Sequence, residues 1–548
     1  MDLPDDDLSY HFGETEPPLL RQTIPENLAC TAERFPERDA LVDLGSGLRW
    51  SWAAFHQDVR ALATGLHRLG VRTGERIALW APNTREWPLV QFAAAEIGAI
   101  LVAVDPAHRP HELLHVLRES GAATVVVHPP IGAADLPGML EQVRPRCPAL
   151  RRVVVMGSPG WDALVSTTAD EALLAGVRAG LDPEDPILLQ YTAGTTGTAR
   201  GATLSHRNVL NNGYLTGELL AYTERDRVCL PVPFHHCFGS VAGTLAATTH
   251  GACVVIPAPA FTAASTLAAV ELESCTSLCG TPAMFEAELA LAGDEQYDLS
   301  SLRTGLVTGS ACPEATVRAV VERLHVAELS VCYGTTEASP VATQTRRDDP
   351  LERRAATVGR AGPHLEAKVV DPLTRRTVPL GTTGEFCTRG YSVMHGYWDD
   401  PRRTAQVVDH EGWLHTGDLA VMDREGYVRI TGRIQDVVVR GGETVHPREV
   451  EDFLLTHPDV VETHVIGVPD ATFGEEVVAW VRLRSSARPL TAEALRAYCE
   501  GQIARHKIPR HVHVADAFPL TATGTVRRAA LRAESVRILD LAPPDPAP

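Results

Sequence analysis

Short runs of Val, Ile, Leu and Ala alternate with longer amphipathic stretches along this chain: RIALW is followed by TREWPLVQFAAAEIGA, ILVAV by RPHELLHVLRESG, and then comes ATVVVH. A short run that is apolar on both faces suits a strand covered by helices on both sides, and the amphipathic stretch between two such runs suits the helix that crosses from one to the next. The rhythm returns at CVVIPA followed by AASTLAAVELES, and at RTGLVTGS followed by CPEATVRAVVERL. The expected fold is therefore α/β, with helix-covered, mostly parallel sheets. Ligands of such folds gather at the carboxyl ends of the strands, so the polar loops directly after the apolar runs are the places to look for chemistry.

After about residue 360 the pattern changes to shorter strands with turn signals, as in AKVVDPLTRRTVPLGTTGEFCTRG and GYVRITGR. The last hundred or so residues then alternate helix, strand, strand, helix through REVEDFLLTHP, VVETHVIGVPD, EEVVAWVRLR and TAEALRAYCEGQIA, the pattern of a small α+β domain. The tail LAPPDPAP is Pro-rich and expected to be disordered.

Composition narrows the partners. With 69 acidic and 50 basic side chains the formal charge is -19, which repels nucleic acid and anionic membrane. The opening MDLPDDDLSYHFG has neither a basic nor an apolar targeting region, and no run of about 18 apolar residues occurs, so a cytoplasmic protein without membrane insertion is expected. The 11 cysteines are irregularly spaced, and Cys275 and Cys279 lack a second ligand pair, so buried free thiols are expected.

Three loops carry candidate chemistry. The apolar PILLQ runs into YTAGTTGTARGATLSHRN, where Gly194, Gly197 and Gly201 permit close backbone approach, Thr192, Thr195 and Thr196 offer hydroxyls, Arg200 offers charge and Ser205 can cap a helix. This suits a polyphosphate or a plain turn, and it is not a Walker A loop because the Gly-Lys-Ser/Thr ending is absent. The second loop, VCYGTTEASP, places Thr336 and Glu337 side by side, which suits a phosphate oxygen and its Mg2+ ion, or a capped turn. The third segment, GWLHTGDLAVMDREGYVRITGRIQD, supplies Asp418 for ribose hydroxyls and Arg433 for phosphate or ribose oxygens.

These loops, in this order and together with LGVRTGERIALWAPNTREW, GSACPE, GYWDDP and RHKIPRHVHV, resemble the core motifs of the adenylate-forming superfamily, with VPFHHCFGSVAG most like its medium-chain acyl-CoA synthetase branch. The resemblance implies a large N-terminal domain over 1–434 with a small β-rich subdomain, a mobile C-terminal domain over 435–540 hinged at Gln435, and a tail over 541–548. It also implies two half-reactions in one site: a carboxylate is joined to AMP, and the acyl group then passes to a thiol. On this likeness Thr192 to Gly197 form the phosphate loop, Gly309 and Tyr333 flank the adenine, and Thr336 contacts the α-phosphate. Glu337 holds Mg2+, Asp418 binds the ribose, Arg433 assists, and His236 sits beside the acyl carboxylate, while its neighbour His235 is expected to pack or form a hydrogen bond. Gly441 and Gly442 line the coenzyme A tunnel, so the small molecules implied are ATP or acyl-AMP, a carboxylic acid and coenzyme A.

Two departures from the family pattern stand out. The phosphate loop has Ala193 where a hydroxyl is usual, and Ala199-Arg200 in place of Pro-Lys. In FPLTATGTVRR, Thr525 stands where the family carries a lysine that bridges two anions in the adenylation transition state. Loss of one preorganised group of this kind costs about 2.7 to 4 kcal/mol, or about 100- to 1,000-fold in rate. Transfer to the thiol needs no such cation. The sequence therefore points to an acyl-CoA ligase weak in adenylation, which converts an acyl adenylate supplied by a separate adenylating enzyme. The alternatives are a complete ATP-dependent synthetase with Arg527, Arg528 or Lys507 as substitute cation, and a non-catalytic acyl-adenylate binding protein.

Overall fold

A computed structural model of the protein describes residues 7–192, 199–292, 297–309, 312–440, 443–470, 472–484, 491–500, 502–521 and 526–541. Among these residues the strands form four sheets, and the alternation of apolar and amphipathic runs maps onto the first two. In the seven-stranded sheet Arg76–Trp80, Ile100–Val104, Thr124–Val127, Arg152–Val155 and Pro186–Thr192 run parallel, and Arg200–Ser205 folds back antiparallel on the last of them. In the nine-stranded sheet Arg227–Cys229, Cys253–Ile256, Ser277–Gly280, Thr304–Val307 and Glu328–Gly334 are parallel. The fold is α/β with a large N-terminal part and a smaller C-terminal one.

The helix Glu86–Glu96 buries every residue from Trp87 to Glu96. A helix buried all round has no solvent face and serves as core. It also fastens the segment that bears His236: Trp87 packs on Phe234 with ring centroids 5.9 Å apart, and Gln91 Nε2 donates to the Ser240 carbonyl at 3.1 Å. Asn83, just before this helix, brackets the same segment by donating to the Val232 carbonyl at 2.7 Å and accepting from the Phe234 amide at 2.8 Å.

The third sheet is antiparallel, in the order Tyr10–Phe12, Leu365–Val370, Gly384–Gly390, Leu414–Met422, Val428–Arg433. Its first strand comes from the N-terminus, with Tyr10 paired to Lys368. In the C-terminal sheet Val460–Asp470 and Gly474–Leu483 pair antiparallel, and His511–Val514 lies parallel to the second. Val450, Val465, Val477 and Leu495 form its core with the helices Pro447–Leu454 and Ala492–Cys499. The cysteines are unpaired, and among the described residues no helix is long and apolar enough to cross a membrane. Leu541 packs at the end of the last helix, and the rest of the Pro-rich tail lies outside the described residues.

Candidate active site

The site lies at strand ends of three sheets and is held together by side-chain contacts that cross between them. Pro186–Thr192 and Arg200–Ser205 close on each other through the pairs Tyr191 with Gly201 and Thr192 with Arg200. Residues 193–198, including Thr195, Thr196 and Gly197 of the expected phosphate loop, lie outside the described residues. Ser205 caps the following helix as its position suggested, its hydroxyl accepting from the Asn208 amide at 3.2 Å.

The strand Glu328–Gly334 ends at Tyr333 and Gly334. A Cβ on Gly334 would stand 1.7 Å from the Pro340 carbonyl oxygen, so only glycine lets the chain turn here. The turn Thr336–Ala338 follows, with Thr336 buried. Gly309, beyond the neighbouring strand Thr304–Val307, has φ +100°, a region few other residues adopt.

Tyr333 donates its hydroxyl to Asp418 Oδ2 at 2.6 Å, and Arg433 Nε lies 2.8 Å from Asp418 Oδ1. Asp418 and Arg433 are directly paired across their strands. Burial pushes the Asp418 carboxyl up, against the opposing pull of Arg433 and the Tyr333 hydroxyl. The Asp418 charge raises Arg433, and burial raises Tyr333. A carboxylate has about four lone-pair positions. Two are occupied by these donors, leaving two, as many as the paired hydroxyls of a ribose would need.

Glu337 Oε1 accepts a hydrogen bond from the Tyr397 hydroxyl at 2.7 Å, and the Arg200 guanidinium lies over the Tyr397 ring, 5.5 Å from its centroid. Tyr397 thereby couples the exit of the phosphate loop to the expected Mg2+ ligand. It lies in GYWDDP, but nothing in the sequence marks it as Glu337's partner. The residues fit a hard, oxygen-seeking cation: the other Glu337 oxygen, Oε2, accepts no hydrogen bond among the described residues, and Thr335 Oγ1, two residues earlier in the chain, is buried without a partner.

His236 lies next to Thr336 through Cys237, whose Sγ is 3.7 Å from Thr336 Oγ1 and 3.9 Å from His236 Nδ1. The Phe238 amide donates to His236 Nδ1 at 3.2 Å, which places the ring proton on Nε2 as a donor. Burial, with His235 adjacent, lowers His236 to about 4, so the ring is neutral at physiological pH. His235 faces Asp105, with Nε2 3.6 Å from its Oδ1. Cys237 is no thiolate nucleophile, since burial pushes its thiol up to about 12. Directly after it comes a π-helix, Phe238–Leu245, a rare element often found at functional sites and without a signature in the small-residue run that forms it.

At the C-terminal end, Gly441, Gly442 and Thr525 lie outside the described residues. Their flanks are described: Val438–Arg440 pairs antiparallel with Glu443–Val445, and Leu520 bridges Val526, with the Arg527 amide donating to the Pro519 carbonyl at 2.8 Å. Gln435, the expected hinge, sits exposed in the single turn Ile434–Asp436. Of the cations near Thr525 in the sequence or in the same domain, Arg528 is held by Glu451 at 2.6 Å and the Val465 carbonyl at 2.5 Å, and Lys507 by Glu449 at 2.5 Å. Arg527 is exposed and has no ion-pair partner among the described residues.

The AMP-binding enzyme family model matches residues 28–398, and the AMP-binding enzyme C-terminal domain model matches 449–525. YngI of Bacillus subtilis (strain 168) is 43% identical over 544 residues, covering 95% of this chain and 99% of YngI. The mitochondrial medium-chain acyl-CoA ligase ACSF2 of Danio rerio is 40% identical over 555 residues, covering 97% of this chain and 91% of that protein. Among solved structures, the anthranilate CoA ligase AuaEII in complex with anthranoyl-AMP superposes with a TM-score of 0.84 at 27% identity, over 96% of this chain and 99% of that one.

Proposed function

We propose, from the premise that this chain belongs to the AMP-binding enzyme family and is an acyl-CoA synthetase of the adenylate-forming superfamily, that its two half-reactions are unequal: it forms acyl adenylates slowly and converts them to acyl-CoA readily. The observation that carries this reading is Thr525 at the position of the family's bridging lysine.

In the first half-reaction the acid's carboxylate oxygen attacks the α-phosphorus of ATP and pyrophosphate leaves. His236 presents its Nε2 proton to the carboxylate, and the Thr336 hydroxyl is placed for the α-phosphate. Asp418, steadied by Tyr333 and Arg433, takes the ribose hydroxyls. Glu337, oriented by Tyr397, holds Mg2+, which would neutralise phosphate charge when bound. What Thr525 does not supply is a cation between the attacking carboxylate and the α-phosphate, two anions that repel. In the second half-reaction the coenzyme A sulfur attacks the carbonyl of the mixed anhydride, the carbon–oxygen bond to AMP breaks, AMP leaves as an anion and the thiol proton passes to solvent. No two anions meet in that step. The acyl adenylate then comes from a separate adenylating enzyme.

A second reading is favoured by one observation. Arg527, exposed and unpaired among the described residues, is free to act as the missing cation, whereas Arg528 and Lys507 are already engaged. The two readings separate in pyrophosphate exchange: Thr525→Lys raises exchange by about 100-fold if the position lacks a cation, and Arg527→Ala abolishes the wild-type exchange if Arg527 supplies it.

A further inference from the structure

The strand that carries Asp418 is not a regular ladder. Cys387 pairs with His415 and Glu385 with Leu419, so two residues' advance on one strand is matched by four on the other. Thr416, Gly417 and Asp418 form the bulge, with Gly417 at φ +72°. A bulge re-aims side chains but removes backbone groups from their ladder partners.

Buried side chains supply the missing partners. Glu385 Oε1 accepts from the Gly417 amide at 3.1 Å, and Thr416 Oγ1 accepts from the Asp418 amide at 3.2 Å while donating to the Phe386 carbonyl at 2.7 Å. Glu385 Oε2 is in turn 2.9 Å from His415 Nδ1, and His415 Nε2 is 3.3 Å from Asp409 Oδ2. Glu385 and His415 are 6% and 7% exposed. Burying a carboxylate is costly unless its oxygens are bonded, and both oxygens of Glu385 are bonded here.

We propose that Glu385, backed by His415 and Asp409, is a positioning residue that holds the Thr416–Asp418 bulge and thereby presents Asp418 to the nucleotide ribose. The proposal rests on the reading of Asp418 as the ribose ligand. It explains why a hydrogen-bond acceptor is buried behind a turn where an apolar side chain would fill the same space. Ligand atoms of Glu385, Cys387 and His415, one from each, lie within 4.8 Å of one another, a spacing that would also admit a metal ion. Both Glu385 oxygens are spent on hydrogen bonds, which favours the positioning role.

The test is a double-mutant cycle on the full chain, read as AMP affinity by calorimetry well below the unfolding temperature, using D418A, E385A and the double variant. D418A weakens AMP binding, E385A weakens it about tenfold, and E385A adds nothing in the D418A background. Glu385→Gln, which keeps an acceptor for the Gly417 amide, retains most of the affinity. Equal weakening by E385A in both backgrounds, wild-type affinity of E385A, or one zinc ion per chain lost on E385A substitution overturns the proposal. Wild-type AMP affinity of D418A overturns the ribose reading itself, and the positioning role with it. Should E385A not fold, the near-isosteric T416V, which removes the bonds to the Asp418 amide and the Phe386 carbonyl, enters the same cycle with the same expected non-additivity.

Discussion

The Tyr333 hydroxyl donates to Asp418 Oδ2 at 2.6 Å, joining the end of a parallel strand in the nine-stranded sheet to the bulged strand of the antiparallel sheet. Asp418 is buried, and Arg433 is its ion-pair partner. Tyr333→Phe therefore leaves a buried carboxylate oxygen without its donor, and is expected to lower stability by about 1.5 to 3 kcal/mol. Urea denaturation measures this. A loss below about 0.5 kcal/mol would mean that the two sheets are not coupled through this bond.

Tyr397 and Glu337 form the second link across sheets, at 2.7 Å. If Tyr397 orients the Mg2+ ligand, Tyr397→Phe raises the Mg2+ concentration needed for half-maximal pyrophosphate exchange while Glu337→Gln lowers the maximal rate itself by about 100-fold. An unchanged Mg2+ dependence in Tyr397→Phe would show that Glu337 is held by other means.

His206 offers a pH prediction with a definite sign. It is fully buried, its Nδ1 accepts from the Ile24 amide at 3.2 Å, and its Nε2 has no partner among the described residues. Burial lowers it to about 4 from an ordinary value of 6.5. The neutral ring contributes stability above pH 6.5, and that contribution is lost as pH falls from 6.5 towards 4. His206→Gln is thus destabilising at pH 7.5, and its deficit relative to wild type narrows by about 1 to 2 kcal/mol at pH 5. Glu96, raised to about 7 by burial, titrates with the opposite sign, so the difference between variant and wild type is the quantity to follow. A deficit that does not change with pH would place the His206 effect in packing alone.

The α/β architecture was legible because strands buried on both faces read as unbroken apolar runs, RIALW and ILVAV among them. The N-terminal strand Tyr10–Phe12 was not: it is 3 residues long and its partner lies more than 350 positions away, so no local pattern announces it. The same distinction runs through the site. Ser205 at its cap, and Asp418 and Arg433 in one motif, are visible in short windows, and their pairing follows from the hairpin between them. Tyr397 beneath Glu337, and Glu385 behind Gly417, are contacts between segments 60 and 32 residues apart, which only the folded sheets bring together. The π-helix after His236 is a departure in backbone hydrogen bonding that a run of small residues does not encode.

Arg527 and Arg528 are adjacent in sequence but differ in circumstance. Arg528 is tied to Glu451, itself bonded to the Val465 amide at 2.7 Å, so recruiting Arg528 to a nucleotide would strip a buried carboxylate of its cation. Arg527→Ala and Arg528→Ala should therefore separate: the second loses stability by about 3 kcal/mol or more, and the first loses none. Thermal denaturation of the two variants checks this, and equal destabilisation would contradict it.

Thr525 in place of a lysine predicts an imbalance between the half-reactions. Its most direct test compares, in one preparation with one acid, the rate of pyrophosphate exchange from ATP and free acid with the rate of CoA thioester formation from the synthetic acyl adenylate. Thioester formation is expected to be faster than exchange by about 100-fold or more. Exchange as fast as thioester formation would contradict it.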